Sequence, residues 1–175
     1  YQPKVNMKTQ QLMGVEALIR WEHPERGLLL PNDFLPAIDN HAISVTLGEW
    51  IIDTALQQIA DWQSLGLNIP ISVNIGARQL QQDNFVTRLK ELLAAHPEVA
   101  PHYLDLEVLE SSALSDIKVV SSVMRDCCAL GVHFSLDDFG TGYSSLTYLR
   151  RLPADLIKID QSFVRDMLND PDDFA

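Results

Sequence analysis

The sequence predicts an α/β fold, and within that class a (β/α) barrel whose first strand runs antiparallel to its second. Three observations lead there. Strand-length segments alternate with amphipathic helix-length ones from residue 69 onward, the order that builds a parallel sheet covered by helices. Ahead of them, two strands are joined only by Lys8-Thr9-Gln10-Gln11, too short a link for a parallel crossover. Third, polar residues recur in or near the C-terminal halves of successive strands: Glu16, Asn74, Glu107, Asp137 with Asp138, and Lys158. A doubly wound open sheet fits the alternation equally well. It would spread those polar residues along an edge, whereas a barrel rings them round one mouth, where catalytic groups gather.

Residues 1–7 and 12–19 read as the antiparallel pair, and residues 23–27 as a loop. Pro31-Asn32-Asp33 starts a short helix with Asn32 as its N-cap. Residues 43–65 form a long amphipathic helix, with Leu47, Ile51, Ile52, Ala55, Ile59 and Trp62 at helical spacing and Gly66 closing it. Then come a strand over 69–75, a helix over 85–95 and a strand over 103–109. The helix over 117–130 buries Val119, Val120, Val123, Cys127 and Leu130 and stops at Gly131. Val132, Phe134 and Leu136 then alternate with His133, Ser135 and Asp137, a strand with a period of two. A short helix over 146–151 ends before Pro153, a strand covers 156–160, and a last helix begins at Phe163. A closed barrel takes about 250 residues and eight strands. This reading supplies six strands in 175 residues, so two strand–helix units are missing and the chain reads as part of a longer protein.

Composition narrows the function. With 46% hydrophobic residues the chain can bury one real core. A net charge of −11 disfavours a broad electrostatic grip on DNA or RNA, yet leaves room for a small phosphate ligand held through metal ions and a few cationic side chains. Cys127 and Cys128 are adjacent in a helical pattern, which disfavours a disulfide and points to buried thiols in a reducing compartment, the cytoplasm. No apolar run is long enough to span a membrane. The five histidines show no metal-ligand spacing, and the acidic stretch over 166–173 reads as a solvated helix end.

The polar residues suggest chemistry. Two neighbouring anions, Asp137 and Asp138, repel unless a cation lies between them. The bland reading is an Asp-rich turn ending a strand, just as a lone glutamate in a strand usually faces solvent. Recurrence at the same place in successive units favours a shared site. Its donors are all oxygens, with neither thiolate nor imidazole among them, and so match Mg²⁺ or Mn²⁺ rather than zinc or copper. Four carboxylates exceed the charge of one divalent ion, which points to two ions sharing the Asp pair, an arrangement suited to phosphoester cleavage. Lys158 on the next strand could orient a water or neutralise developing charge.

Ordered motifs carry a resemblance. YQP stands at residues 1–3, EALIRW at 16–21 followed by HP, and SVNI at 72–75. Glu107 is followed by Glu110, then DDFGTGYSSL at 137–146, LP at 152–153 and KIDQSFV at 158–164. In this series the chain resembles the EAL domain, the family of bacterial cyclic di-GMP phosphodiesterases. The resemblance covers residues 1–175 and implies a TIM-type barrel with an antiparallel first strand. It implies two Mg²⁺ or Mn²⁺ ions held by Glu16, Asn74, Glu107, Asp137 and Asp138, with Lys158 contacting the attacking water. Gln2 and Arg20 would contact the ligand, and Leu18 and Pro31 would line its path. The reaction implied is in-line hydrolysis of one phosphodiester of cyclic di-GMP to linear pGpG. The loop over 139–145, anchored by Glu110, would be mobile and couple metal binding to a homodimer contact.

Three departures accompany the match. Leu109 stands where the family commonly has Thr, and Gly76 where Ser is usual. A further acidic motif (AEGVE) and a QGY motif would lie beyond Ala175, which describes a domain cut at its C-terminal end and slightly at its N-terminal end. Relatives often carry a fused diguanylate cyclase (GGDEF) or sensor domain, or membrane segments, so a membrane-tethered parent is compatible with a cytoplasmic domain. The alternative function is a catalytically silent cyclic di-GMP sensor or an interaction module.

Overall fold

The computed structural model of the chain describes residues 1–140 and 150–166. Strands β1 (Gln2–Val5) and β2 (Leu12–Ala17) form the expected antiparallel pair, with Gln2 opposite Glu16 and Lys4 opposite Gly14. Where the sequence reading placed a loop, a small hairpin forms instead: β3 (Trp21–His23) pairs with β4 (Gly27–Leu29) as a separate two-stranded sheet. The His23 ring accepts from the backbone N–H groups of Glu25 and Arg26, which fastens its turn. Helix α1 (Pro31–Ile38) follows. Its N-cap is Leu30, not Asn32: the Asp33 carboxylate accepts from the Leu30 N–H at 2.9 Å, and Pro31 fills the first helical position, where no N–H is needed.

Helix α2 (Ile43–Ser64) buries Ile52, Ala55, Leu56 and Ile59. Trp62 packs edge-on against Tyr1, and Trp50 is exposed. Strand β5 (Ile71–Ile75) leads into a four-residue helix, α3 (Ala77–Leu80), then α4 (Phe85–Ala95). Strand β6 (Leu104–Leu109) runs directly into the short α5 (Glu110–Ser115) and then α6 (Ile117–Cys128). The sequence reading had neither α3 nor α5, both too short to show a helical period. In α6 the core face is Val120, Met124 and Cys127, while Val119 is 47% exposed and Cys128 only half-buried. Gly66 and Gly131 follow α2 and α6 with φ of 80° and 98°, values that favour glycine just past a helix end.

Strand β7 (His133–Phe139) and strand β8 (Leu156–Ile159) complete the main sheet, and α7 (Gln161–Asp166) begins two residues earlier than its apolar pattern indicated. The expected helix over 146–151 falls mostly on residues outside those described, as does most of the acidic stretch over 166–173. The sheet order is β1-β2-β5-β6-β7-β8, parallel from β2 onward.

The sheet curls. Lys158 on β8 reaches Glu16 on β2 at 3.0 Å, although four interstrand steps separate them. Across a flat sheet those steps would span about 19 Å, well beyond two side chains. Curling turns the alternation of each strand into an inside and an outside. Ile71, Val73, Leu104, Leu106, Val108, Phe134 and Leu136 face the helices and are fully buried. Their neighbours Ser72, Asn74, Asp105, Glu107, Ser135 and Asp137 line the concave side. This is the wall of a (β/α) barrel, and the open-sheet alternative is set aside.

Candidate metal and phosphodiester site

At the concave mouth three strands deliver one carboxylate each. Oxygens of Glu16, Glu107 and Asp137 lie within 4.8 Å of one another. Lys158 stands at their focus: its Nζ donates to Glu107 Oε2 at 2.6 Å, Asp137 Oδ2 at 2.9 Å and Glu16 Oε2 at 3.0 Å. Asn74 Nδ2 donates to Glu16 Oε1 at 2.9 Å, fixing that carboxylate from the neighbouring strand.

Burial shapes the charges here. The Glu107 side chain is wholly buried, and loss of solvent raises its pKa; hydrogen bonding and attraction from Lys158 pull the other way. Burial lowers the pKa of Lys158, but its hydrogen bonds to Glu107, Asp137 and Glu16 outweigh this and carry it well above the ordinary lysine value. The ammonium therefore keeps its proton at neutral pH.

The two aspartates are separated by a fault in the ladder. Leu136 pairs with Ile157 and Phe139 with Ile159, so Asp137 and Asp138 together face the single residue Lys158. That bulge breaks the alternation which would otherwise send Asp138 to the helix side. Asp138 accordingly has a φ of 53°, a left-handed conformation that Asp tolerates better than most residues, and its N–H donates to Asp137 Oδ1 at 3.0 Å. Burial first, then Asp137 and Asp160, raise the Asp138 pKa. Just beyond, buried Glu110 accepts from the Gly140 N–H at 2.9 Å through Oε2, while its Oε1 has no partner among the described residues. The rest of the 139–145 loop lies outside those residues.

Beside the carboxylates lies a cavity of about 450 Å³ whose lining includes Leu18, Pro31, Asn74, Leu109 and Asp138. A smaller one of about 210 Å³ is lined by Tyr1, Leu18, Arg20 and Trp50. Arg20 is exposed and turns its guanidinium back to the Ile19 carbonyl at 2.8 Å. Gln2 is exposed beside Glu16 in the ladder. The structure thus brings Glu16, Asn74, Glu107, Asp137 and Lys158 into direct contact. Asp138, Leu18 and Pro31 line the adjoining hollow and Arg20 the smaller one, while Gln2 lies opposite Glu16 in the ladder and Glu110 bonds the Gly140 backbone; neither of these two lines either cavity.

One participant escaped the sequence reading. Lys4 Nζ lies 3.4 Å from Glu107 Oε1 and 3.6 Å from Asp105 Oδ2, and also hydrogen-bonds Ser72 Oγ. Asp105 in turn accepts from Ser72 Oγ at 2.7 Å and Ser135 Oγ at 2.8 Å. The signal is present in the sequence, since Lys4 follows β1's alternation from Gln2, but Lys4 lies on the antiparallel strand, away from the parallel-strand ends that mark a barrel mouth. The concave face therefore sets the carboxylates of Glu16, Asp105, Glu107, Asp137 and Asp138 against the ammonium groups of Lys4 and Lys158. A surplus of negative charge on oxygen donors fits a hard divalent cation.

Comparison with known proteins agrees with the barrel fold. The sequence profile of the EAL domain family matches residues 1–175. The chain is 43% identical over 176 residues to the bifunctional diguanylate cyclase/cyclic di-GMP phosphodiesterase MucR of Pseudomonas aeruginosa, covering 100% of this chain and 26% of MucR. It is 42% identical over 172 residues to the cyclic di-GMP phosphodiesterase PdeR of Escherichia coli, covering 98% of this chain and 26% of PdeR. The chain thus spans about a quarter of the length of these curated relatives. Among solved structures, the PaMucR phosphodiesterase in complex with c-di-GMP superposes with a TM-score of 0.94 at 42% identity, over 99% of this chain and 70% of that one. An EAL domain protein from Listeria monocytogenes superposes with a TM-score of 0.83 at 34% identity, over 99% of this chain and 67% of that one.

Proposed function

Because this chain belongs to the EAL domain family, we propose that it is the catalytic domain of a phosphodiesterase that hydrolyses cyclic di-GMP to linear pGpG with Mg²⁺ or Mn²⁺. The observation that carries the proposal is the convergence of Glu16, Glu107 and Asp137 from three strands to within 4.8 Å. Glu16, Glu107, Asp137 and Asp138 would hold two ions, with Asn74 offering its Oδ1, since its Nδ2 is committed to Glu16. When bound, such ions supply Lewis-acid charge to the phosphate oxygens and make a nucleophile available at neutral pH.

The chain's own residues do the rest. Lys158 would present Nζ–H donors to the attacking water and to charge building on the phosphate. Asn74 would keep Glu16 from rotating. Leu18 and Pro31 would give the ligand an apolar wall, and Arg20, which lines the smaller cavity, would contact it together with Gln2. Glu110 would anchor the loop over 139–145, through which the domain would pair with a second copy. Buried Cys127, its thiol pushed up to about 12 mainly by burial, fits a reducing, cytoplasmic setting. A GGDEF or sensor domain in the same polypeptide would set when the site works.

The test is direct. The intact protein is incubated with cyclic di-GMP and Mn²⁺, and product is followed by chromatography. Linear pGpG is expected, and a Glu16→Ala variant should yield none. No product from the wild type, or full activity in the variant, would defeat the proposal. Tight nucleotide binding without product would identify a sensor instead.

A further inference from the structure

We propose that Lys4 is a positioning residue for the metal centre, holding Glu107 from beneath so that a single oxygen is presented to a cation. The inference rests on the metal-dependent reading above and extends it to a side chain outside the expected ligand set.

The geometry divides the Glu107 carboxylate between two lysines. Oε2 faces Lys158 at 2.6 Å, on the side shared with Glu16 and Asp137. Oε1 faces Lys4 at 3.4 Å, on the side shared with Asp105. A carboxylate gripped at one oxygen is less able to turn or to ligate through both. Lys4 is itself fixed, because Ser72 Oγ and Asp105 accept from or pair with it, and Ser135 steadies Asp105. Ligands of a metal are commonly oriented by such outer partners.

The path of the Lys4 side chain supports the same reading. Lys4 belongs to β1, yet its partners lie on β5 and β6, so the chain of methylenes must cross β2. It crosses where β2 has Gly14: a Cβ there would lie 3.7 Å from Lys4 Cε and 3.0 Å from the Pro70 carbonyl. The lysine stem passes at ordinary van der Waals contact, and the close approach that favours glycine there is that of the Pro70 carbonyl.

Mn²⁺ binding to the intact protein, measured by calorimetry without substrate, separates this role from simple structural support. Lys4→Met should weaken Mn²⁺ binding at least about tenfold, the usual cost of losing an outer-shell partner. Lys4→Arg should restore binding to within about threefold of wild type, and Ser72→Ala, a milder change that keeps both charges, should weaken it by about threefold. With cyclic di-GMP, Lys4→Met should lower kcat and leave KM unchanged, since Lys4 lines neither cavity. Wild-type or tighter Mn²⁺ binding in folded Lys4→Met overturns the proposal. If Lys4→Met does not fold, wild-type binding in Ser72→Ala does the same. A wild type that binds no Mn²⁺ overturns the underlying metal reading as well, and so is distinguishable from failure of the Lys4 role alone.

Discussion

The two faces of β5, β6 and β7 are built from alternate residues of the same strands, and they obey opposite rules. On the helix side Ile71, Val73, Leu104, Leu106, Val108, Phe134 and Leu136 are completely removed from solvent and belong to one hydrophobic cluster. Each contributes roughly 1.5–3 kcal/mol by leaving water. On the concave side Ser72, Asp105, Glu107, Ser135 and Asp137 are also largely or partly buried, but every one of them is hydrogen-bonded or ion-paired. Burying charges in this way yields little net stability even when they are paired. The outer face makes the fold; the inner face carries the proposed site, and its charges are tolerated because each of them is paired. A shift of one residue in any of these strands would exchange the two roles.

That division can be broken experimentally. The largest effect is expected on the inner face: Glu107→Gln should lower the rate of pGpG formation by about a thousandfold, some 4 kcal/mol of barrier, with circular dichroism unchanged. Retained turnover would mean that the concave carboxylates are not the reacting site. On the outer face, one position away, Leu106→Ala should cost about 3 kcal/mol of stability in urea titration while the folded fraction keeps its kcat. A loss below about 1 kcal/mol would show that the helix side is not the main core. Mn²⁺ at a hundred times its dissociation constant should add about 2.7 kcal/mol to wild-type stability, and far less to Glu107→Gln.

The smallest effect sharpens the contrast away from the site. Burial holds the Cys127 thiol at about 12, above its ordinary 9.0. Above pH 9.0 the unfolded chain therefore loses this proton before the folded one does, and stability falls as pH rises from there to about 12. Cys127→Ala should make that decline shallower by one proton's worth of slope in denaturation measured across the range.

Much of this was legible in the sequence because periodicity and position report on packing. Every strand of the main sheet came from alternation or from short apolar runs, and the site followed from polar residues recurring at strand ends. What failed was local or three-dimensional. Three-residue strands such as Trp21–His23 and Gly27–Leu29 are too short to show alternation, so their hairpin read as a loop. Asn32 looked like a cap because its type is right, yet Pro31 had already taken the first helical position and Asp33 completed the cap. Val119 and Met124 differ only in which side of a helical stripe they fall. The bulge at Asp137 and Asp138 depends on register with β8, and the reach of Lys4 depends on curvature; neither is written in a single strand.

The placement of Lys158 carries a consequence for the sheet itself. One ammonium on β8 is tied to carboxylates on β2, β6 and β7. The first parallel strand and the last are thereby clasped across the hollow, so the curvature of the wall is held from inside by the same side chain that the proposed chemistry would use.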